Sequence, residues 1–311
     1  MSFAIVFPGQ GSQAVGMLAE LAAEHPQVSE TFAEASEALG YDLWQLVQNG
    51  PDTDLNQTDK TQPAMLAAGI ACWRVWQAAE GATPAFVAGH SLGEYTALVA
   101  SGALDFAIAI KLVEQRGQLM QAAVPEGEGA MAAILGLTDE QVITACADAA
   151  QGDVVQAVNF NAPGQVVIAG AAAAVQRAAD QAKEAGAKRA LLLPVSVPSH
   201  CDLMKPAAEK LSTALAEIEL ATPGIKVIHN VDVASHEDGA AIKEILAAQL
   251  FSPVRWVETI QTLSVAGVES IVECGPGKVL AGLNKRIDRG MTASPVFDAK
   301  SLAAALDAHK A

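Results

Sequence analysis

Residues 84–98 read Pro84-Ala-Phe-Val-Ala-Gly-His-Ser91-Leu-Gly-Glu-Tyr-Thr-Ala-Leu98, and this segment decides how the chain folds. Residues 85–88 form an apolar run typical of a short buried strand, and residues 92–99 begin a helix. Between them, residues 89–93 match GxSxG, the pattern of a nucleophile elbow, in which a serine projects from a strained strand-to-helix turn. A plain turn with Ser91 as helix N-cap is the alternative, but the flanking strand and helix favour the nucleophile.

The residues on either side of Ser91 suit this role. A Cβ atom at Gly89 or at Gly93 would crowd the strand against the helix that follows it. The N-terminus of that helix offers unpaired N–H groups and the positive end of a dipole, which can stabilise a developing oxyanion.

The composition is that of a large globular protein. The chain has 311 residues, of which 51% are apolar and 17% are charged, and this excludes a disordered protein. The length suits one large α/β domain or two domains. The apolar run at residues 3–7 is too short for a signal-peptide core, and no uninterrupted apolar stretch of about 18 residues indicates a membrane span. We therefore expect neither a secreted protein nor a membrane protein.

The net charge limits the classes of binding partner, and the cysteines indicate the cellular compartment. A formal net charge of −16 argues against nucleic acid, and an acidic protein partner would need a local basic patch. The four cysteines are scattered without the paired spacing of zinc or redox sites, and they fit a reducing cytoplasm; they are Cys72, Cys146, Cys201 and Cys274. We expect no metal site and no bound cofactor.

A glycine-rich loop, Pro8-Gly-Gln-Gly-Ser-Gln13, follows the strand predicted at residues 3–7. It is not a dinucleotide-binding fingerprint, because the third glycine falls at Gly16 and no ribose-binding context follows. The loop can present backbone N–H groups to an anion, although a tight turn without a ligand has the same sequence.

Arg116 lies in an unusual place. The helix predicted at residues 105–123 has an apolar stripe through Ala109, Leu112, Val113 and Met120, and Arg116 falls on that stripe. A buried arginine is costly unless an anion pairs with it. The residue is therefore either a ligand for an anionic substrate, or a structural arginine that reaches the rim or pairs with an acid.

The pattern changes after the hinge-like segment at residues 125–129. Six elements follow in the order strand, helix, strand, strand, helix, strand, at residues 130–135, 139–149, 154–159, 165–169, 172–185 and 189–194. This order is the ferredoxin-like arrangement, a small domain in its own right. The remaining strands are predicted at residues 225–230 and 268–273, and further helices at residues 17–24, 28–39, 43–47, 62–79, 240–250, 254–266 and from 278 to about 287.

Six histidines could supply a base for Ser91. His90 adjoins the serine, so its side chain should diverge from it, and His25 and His309 are interpreted as solvated. The two that end predicted elements, where site residues collect, are His200 and His229, with a purely structural histidine as the alternative for His200. The sixth is His236.

Five motifs together resemble the bacterial malonyl-CoA:acyl-carrier-protein transacylases, within the acyltransferase family of fatty-acid and polyketide synthesis. They are FPGQGSQ at residues 7–13, GHSLGE at 89–94, QRG at 115–117, VPSH at 197–200 and ECGPGKVL at 273–280. The resemblance implies an α/β fold with an α/β-hydrolase-like large domain, residues 1–123 and 204–311. It also implies an inserted ferredoxin-like small domain, residues 124–203, with the catalytic histidine on its return segment.

The resemblance assigns roles to individual residues. It implies Ser91 as the nucleophile, His200 as its base, and the backbone carbonyl at Gln249 as the group that orients the histidine. The backbone N–H groups of Gln10 and Leu92 match the oxyanion hole. Arg116 matches the arginine that pairs with the free carboxylate of malonate, and the residues implied to line the pocket are Met120 and Asn161.

The implied reaction carries a malonyl group from malonyl-CoA to the phosphopantetheine thiol of acyl carrier protein through a malonyl-serine ester. The CoA thioester and the carrier protein are then the partners of a cytoplasmic S-malonyltransferase, which we expect to be a monomer. Two other classes stay open: a thioesterase, which releases the acyl group to water, and a non-catalytic docking module. The intact Ser91, His200 and Arg116 argue against both.

Docking of an acidic carrier protein requires local positive charge, because this chain is acidic as well. Two basic clusters are candidates, Lys183, Lys188 and Arg189 in the small domain, and Lys285, Arg286 and Arg289 near the C-terminus. The alternative is that both are ordinary solvated helix faces.

Overall fold

The computed structural model describes residues 2–195 and 197–309, which contain two β-sheets. The larger sheet has five parallel strands in the order β7-β2-β1-β8-β9, and the smaller has four antiparallel strands in the order β4-β5-β3-β6. The strands are β1 (Phe3–Phe7), β2 (Phe86–Gly89), β3 (Gly129–Leu135), β4 (Val155–Ala162), β5 (Gln165–Ala171), β6 (Arg189–Leu192), β7 (Lys226–Ile228), β8 (Ser270–Cys274) and β9 (Thr292–Val296).

Helices cover both faces of the larger sheet and one face of the smaller. They are α1 (Ala19–Glu24), α2 (Pro26–Leu39), α3 (Leu43–Asn49), α4 (Asp52–Leu55), α5 (Thr58–Ala78), α6 (Gly93–Ala100), α7 (Phe106–Ala123), α8 (Asp139–Ala150), α9 (Ala172–Glu184), α10 (Lys205–Ala216), α11 (Gly239–Ala248), α12 (Trp256–Val265), α13 (Val279–Ile287) and α14 (Ala299–Ala308). Short 3₁₀ turns lie at Asp202–Met204 and Gln249–Phe251. The mixed α/β fold predicted from the sequence is confirmed.

The parallel sheet forms the centre of the large unit. All five residues of β1 and all five of β8 are buried, as expected for parallel strands that helices cover on both faces. Alternate residues of β1 face two different cores: Ile5 and Phe7 pack with the long helix α5, whereas Ala4 and Val6 pack with α12 and α13. Residues Met65, Ile70, Trp73 and Trp76 of α5 are buried in the first core, as their spacing predicts.

The carboxyl ends of the parallel strands meet at one edge of the sheet, where ligands usually bind in open α/β folds. The glycine-rich loop follows β1, the Ser91 turn follows β2, and His229 with Asn230 follows β7. Segments distant in the sequence therefore converge at this edge.

The predicted ferredoxin-like arrangement is present, with the elements β3, α8, β4, β5, α9 and β6 in that order. Backbone hydrogen bonds join the small unit to the large one: Val254 N–H donates to Val158 O at 2.8 Å, and Phe160 N–H donates to Val254 O at 3.0 Å. Strand β6 ends at Leu192, and residues 197–200 lie at the edge of the large sheet, where His200 meets Ser91. The domain limits at 123/124 and 203/204 stay predictions.

Some elements differ from the sequence-based expectation. Strand β9 and helix α14 follow the last predicted helix, and the predicted strand 189–194 ends at Leu192. His309, expected to be solvated, is half-buried: its ring centroid lies 4.7 Å from that of Phe3, and its Nε2 lies 2.9 Å from Ser270 Oγ. The last helix thus packs its C-terminal end against the start of β1.

Several properties concern the described residues as a whole. All four cysteines are buried and free. No group of three or more potential metal ligands occurs within residues 2–195 and 197–309. In the same ranges, no helix has the length and apolar character needed to cross a bilayer.

Candidate active site

The Ser91 turn has the geometry that GxSxG predicts. Ser91 has φ 52°, a left-handed conformation that a residue with a side chain adopts only under constraint. A Cβ on Gly89 would lie 1.8 Å from the carbonyl carbon of Gly93, and a Cβ on Gly93 would lie 2.1 Å from Phe7 O. Strand β2, helix α6 and the end of β1 therefore approach each other so closely that only glycine fits at both positions.

His200 lies beside the serine and is held from behind by a backbone carbonyl. Its Nδ1 is 2.8 Å from the carbonyl oxygen of Gln249, and its Nε2 is 2.7 Å from Ser91 Oγ. Because a carbonyl can only accept, Nδ1 carries the proton, which leaves Nε2 free to accept from the serine hydroxyl. The residues form a chain of hydroxyl, imidazole and carbonyl, and within residues 2–195 and 197–309 no carboxylate forms a salt bridge with the His200 ring.

The surroundings keep this imidazole neutral. Burial, and then the positive charge of Arg116, lower the pKa of His200 to about 3. The neutral ring is the form that can take a proton from Ser91. His229, the other candidate base, is fully buried and its Nδ1 lies 2.8 Å from Glu94 Oε1. His90 turns away from the serine, as expected, and its Nε2 lies 2.8 Å from Asn161 Oδ1.

Arg116 is buried, with 1% of its surface exposed, and it points at the serine. Its Nη2 donates to Ser91 Oγ at 3.3 Å and to Gln249 Oε1 at 3.0 Å, and its Nη1 donates to Gln62 Oε1 at 2.8 Å. No carboxylate of the described chain forms a salt bridge with the guanidinium. A buried cation with only neutral partners has the charge and the free hydrogen-bonding capacity to pair with a carboxylate.

Ser91, Arg116 and His200 line one cavity of about 120 Å³. Six of the residues predicted from the sequence line it, namely Gln10, Ser91, Leu92, Arg116, Met120 and His200. Asn161 lies behind it, bonded to His90, while Asn159 lines the wall. The Oδ1 atom of Asn159 is buried and has no hydrogen-bond partner among residues 2–195 and 197–309.

Gln10 and Leu92 reach the cavity from two different loops. Gln10 belongs to the glycine-rich loop after β1, and Leu92 is the N-cap of α6. Within the described ranges, neither backbone N–H donates to another backbone group, whereas Ser91 N–H donates to Asn230 Oδ1 at 2.8 Å. Two N–H groups without a backbone acceptor, on residues that line the same cavity as Ser91, are available to a developing oxyanion.

The predicted docking residues lie on the surface. Lys188, Arg189 and Lys285 are exposed. Arg286 is also exposed, but its guanidinium donates to Gln165 Oε1 and to Pro163 O, so it connects α13 to the β4–β5 hairpin of the small unit. The Nζ of Lys183 lies 2.9 Å from Asp180 Oδ1. Lys188 and Lys285, one from each cluster, are therefore exposed, and neither forms a salt bridge with a described residue.

Sequence reasoning missed Gln62, Glu94 and Asn230. Glu94 carried a usable signal, since an acidic residue three positions after the serine starts an otherwise apolar helix. Asn230 ends a predicted strand, as site residues often do. Nothing in the sequence distinguishes Gln62 from the other polar residues of α5.

A second cavity of about 410 Å³ adjoins the first and shares three lining residues with it. Its walls are rich in carboxamide side chains, from Gln10, Asn56, Gln57 and Gln121, and they also include Glu126. Lysine and arginine are absent from the described lining of this cavity. It therefore suits a neutral group with amides and does not suit a phosphate.

Comparisons with known proteins agree with this geometry. The family model described as acyl transferase domain matches residues 4–301. The malonyl CoA-acyl carrier protein transacylase of Escherichia coli (strain K12) is 59% identical over 305 residues, which are 98% of this chain and 99% of the relative.

Solved structures of related proteins superpose on this chain over nearly its whole length. The acyl carrier protein S-malonyltransferase of Vibrio cholerae superposes with a TM-score of 0.96 at 63% identity, over 98% of this chain and 99% of that one. A malonyl-transacylase solved in complex with its type II polyketide synthase acyl-carrier protein superposes with a TM-score of 0.98 at 57% identity, over 99% and 100% of the two chains. The chain belongs to the acyl transferase family, together with the malonyl-CoA:acyl-carrier-protein transacylases to which it is similar over nearly its whole length.

Proposed function

We propose that this protein transfers a malonyl group from malonyl-CoA to the phosphopantetheine thiol of an acyl carrier protein, through an ester on Ser91. The observation that carries the proposal is the buried Arg116, whose Nη2 lies 3.3 Å from Ser91 Oγ. A guanidinium at this distance can hold the distal carboxylate of malonate while the thioester carbonyl faces the serine. The relatives named as malonyl transacylases support the same assignment.

In the first half-reaction, His200 Nε2 takes the proton of Ser91, and Oγ attacks the thioester carbonyl. The N–H groups of Gln10 and Leu92 hold the oxyanion of the tetrahedral intermediate. When the intermediate collapses, the C–S bond breaks, CoA leaves as its thiol with the proton from His200, and the malonyl ester stays on Ser91. The carrier-protein thiol then repeats these steps in reverse order.

A bound malonyl group opposes one of the effects that lower the pKa of His200. Burial is the largest of these effects, and the positive charge of Arg116 is the next. A malonyl carboxylate that pairs with Arg116 offsets the second effect, so the pKa of His200 is lowered less when the correct substrate is bound. A carbonyl behind the imidazole stabilises the imidazolium less than a carboxylate would. This suffices because a thiolate is an easier leaving group than an amine.

The second cavity suits the arm of the thioester. Pantetheine is neutral and contains two amides, and the carboxamides of Gln57 and Gln121 provide donors and acceptors for them. The two substrates share the pantetheine arm, so one channel serves both half-reactions.

His200→Ala should acylate Ser91 about 10²–10⁴-fold more slowly than the wild-type chain, which is the usual contribution of a general base. The measurement is the burst of CoA release on rapid mixing with malonyl-CoA. His25→Ala is the comparison and should keep the wild-type burst, because His25 lies between α1 and α2 and lines neither cavity. A normal burst in His200→Ala would assign the base to another residue.

Docking of the carrier protein is proposed to use Lys188 and Lys285. Both are exposed, and Lys188 lies immediately before β6, which leads into the segment that lines the cavity. An acidic carrier protein would be attracted to these positions although the chain as a whole is acidic. The solved complex of a related transacylase with its carrier protein supports a direct protein–protein contact.

Charge reversal at both positions, Lys188→Glu with Lys285→Glu, should raise the KM for carrier protein and leave the KM for malonyl-CoA unchanged. The effect should weaken at high salt, which screens exposed charges. Lys300→Glu is the matched control, since Lys300 is exposed on α14 and lines neither cavity. Equal changes in both KM values, or none, would contradict the proposed docking surface.

We further propose that the protein acts as a monomer in the cytoplasm and supplies malonyl groups for fatty-acid synthesis. The four buried, free cysteines fit a reducing compartment. Every residue of the site described above comes from one chain, so the chemistry does not require a second copy.

A further inference from the structure

Glu94 is a buried acid close to the site that the proposed reaction does not use. It lies in the first turn of α6, three residues after Ser91, and none of its surface is exposed. Its Oε1 faces His229 Nδ1 at 2.8 Å, and its Oε2 accepts from Asn230 N–H at 3.0 Å and from Gln249 Nε2 at 2.8 Å. A buried carboxylate with three partners on two separate segments is costly to place and calls for an explanation.

One branch from Glu94 reaches the backbone of the nucleophile turn. The side chain of Asn230 donates from Nδ2 to Gly89 O at 2.7 Å and accepts at Oδ1 from Ser91 N–H at 2.8 Å. This amide bridges Gly89 and Ser91 and so supports the left-handed conformation of Ser91. Since Glu94 fixes the backbone N–H of Asn230, it also fixes the position from which that clamp acts.

The other branch reaches Arg116. The side chain of Gln249 donates from Nε2 to Glu94 and to Ser91 O at 3.0 Å, and its Oε1 accepts from Arg116 Nη2 at 3.0 Å. A carboxylate only accepts, so Glu94 requires the NH₂ end of this amide to face it. The carbonyl end must then face the guanidinium. Glu94 therefore sets the orientation of the Gln249 amide, and this amide in turn orients the guanidinium of Arg116.

The same connection balances charge. Burial lowers the pKa of Arg116, while the neighbouring Tyr95 and Glu94 oppose that shift. The Glu94 side chain is linked to the buried guanidinium through the amide of Gln249, and it does not line the cavity in which a substrate carboxylate would meet Arg116. A direct Glu94–Arg116 pair would have blocked that contact.

We propose that Glu94 is a positioning residue for this site: through Asn230 it fixes the nucleophile turn, and through Gln249 it orients Arg116 towards the substrate carboxylate. The inference rests on the proposed function, since it concerns the same serine and the same arginine. It assigns separate tasks to the two branches, one common to all acyl groups and one specific for malonyl. That separation makes it testable.

The experiment compares four variants in single-turnover acylation by malonyl-CoA and by acetyl-CoA. Each rate is divided by the fraction of chains that can be acylated, which is measured from the intact mass of the protein. Glu94→Gln keeps the shape but removes the acceptor-only character. Asn230→Ser removes the clamp on the turn, and Gln249→Met removes the amide while the backbone carbonyl that holds His200 remains. Glu34→Gln is the matched control, because Glu34 pairs with Arg74 away from the site.

Asn230→Ser should slow both substrates equally, whereas Gln249→Met should slow malonyl-CoA more than acetyl-CoA. Glu94→Gln should slow acylation by both substrates about 10- to 100-fold and should also lower the malonyl-to-acetyl ratio of rates. The reason is that hydrogen bonds to a charged group are lost in both branches. Glu34→Gln should match the wild-type chain. A purely structural Glu94 would lower the thermal midpoint and leave the rate per competent site and the ratio unchanged.

Wild-type rate and ratio in Glu94→Gln would overturn the inference. If Glu94→Gln does not fold, Asn230→Ser and Gln249→Met test the inference instead. An equal effect of these two variants on the malonyl-to-acetyl ratio would overturn the inference as well. Failure of the wild-type chain to form any ester on Ser91 would instead refute the proposed function. The two failures are therefore distinguishable.

Discussion

Replacement of Ser91 by alanine is expected to reduce malonyl transfer by about 10⁴-fold or more, the scale on which loss of a catalytic serine acts in enzymes of this mechanistic type. The double displacement has no route without Oγ, because the two thiol substrates share one channel and cannot meet in it. His200 then has no hydroxyl to deprotonate. The measurement is steady-state formation of malonyl carrier protein.

The matched control is Ser101→Ala. Ser101 is buried at the C-terminal end of the same helix, where its hydroxyl donates to Leu98 O at 2.8 Å, and it lines neither cavity. This variant should keep wild-type transfer. Substantial transfer by Ser91→Ala, with circular dichroism unchanged, would contradict the covalent mechanism.

Arg116→Ala is expected to reverse the preference between malonyl-CoA and acetyl-CoA. Removal of the guanidinium leaves the malonyl carboxylate buried and unpaired, and breaking such a pair from one side costs about 3–5 kcal/mol. That cost corresponds to a loss of about 10²–10⁴-fold in kcat/KM for malonyl-CoA. An acetyl group has no carboxylate, so acetyl-CoA should be accepted as well as before or better.

Both substrates are measured on the same variant, which makes acetyl-CoA the internal control for folding. Arg116 also holds Gln62 and Gln249, so some common loss is expected if these side chains shift. The ratio of the two kcat/KM values removes this common loss and reports only the contact between Arg116 and the malonyl carboxylate. A structural arginine would damage both substrates equally, and an unchanged ratio would refute the carboxylate clamp.

The parts of the site encoded in local sequence could be predicted. The turn at Ser91 follows from two glycines whose Cβ atoms would clash, together with a strand and a helix on either side. Arg116 was flagged by its place on an apolar stripe, although the stripe could not distinguish a substrate ligand from a structural arginine. The order of strands and helices likewise predicted the ferredoxin-like unit.

The parts that depend on long-range contacts could not be predicted from local patterns. Asn230 meets the Ser91 turn from 139 residues away and Gln249 meets Glu94 from 155 residues away, so no spacing rule links them. Spacing left His200 and His229 equivalent, and the structure separates them because only His200 contacts the serine. Strand β9 was missed because it lies at the edge of the sheet and contains Pro295, a residue that argues against a strand.

The most direct test of the account is the mass of the wild-type chain after incubation with malonyl-CoA alone, followed by peptide mapping and then by addition of carrier protein bearing phosphopantetheine. We expect one malonyl group per chain, located on the peptide that contains Ser91, and its transfer to the carrier thiol when the second substrate is added. An unmodified chain, an ester on another residue, or an ester that is lost to water rather than to the thiol would contradict malonyl transfer through Ser91.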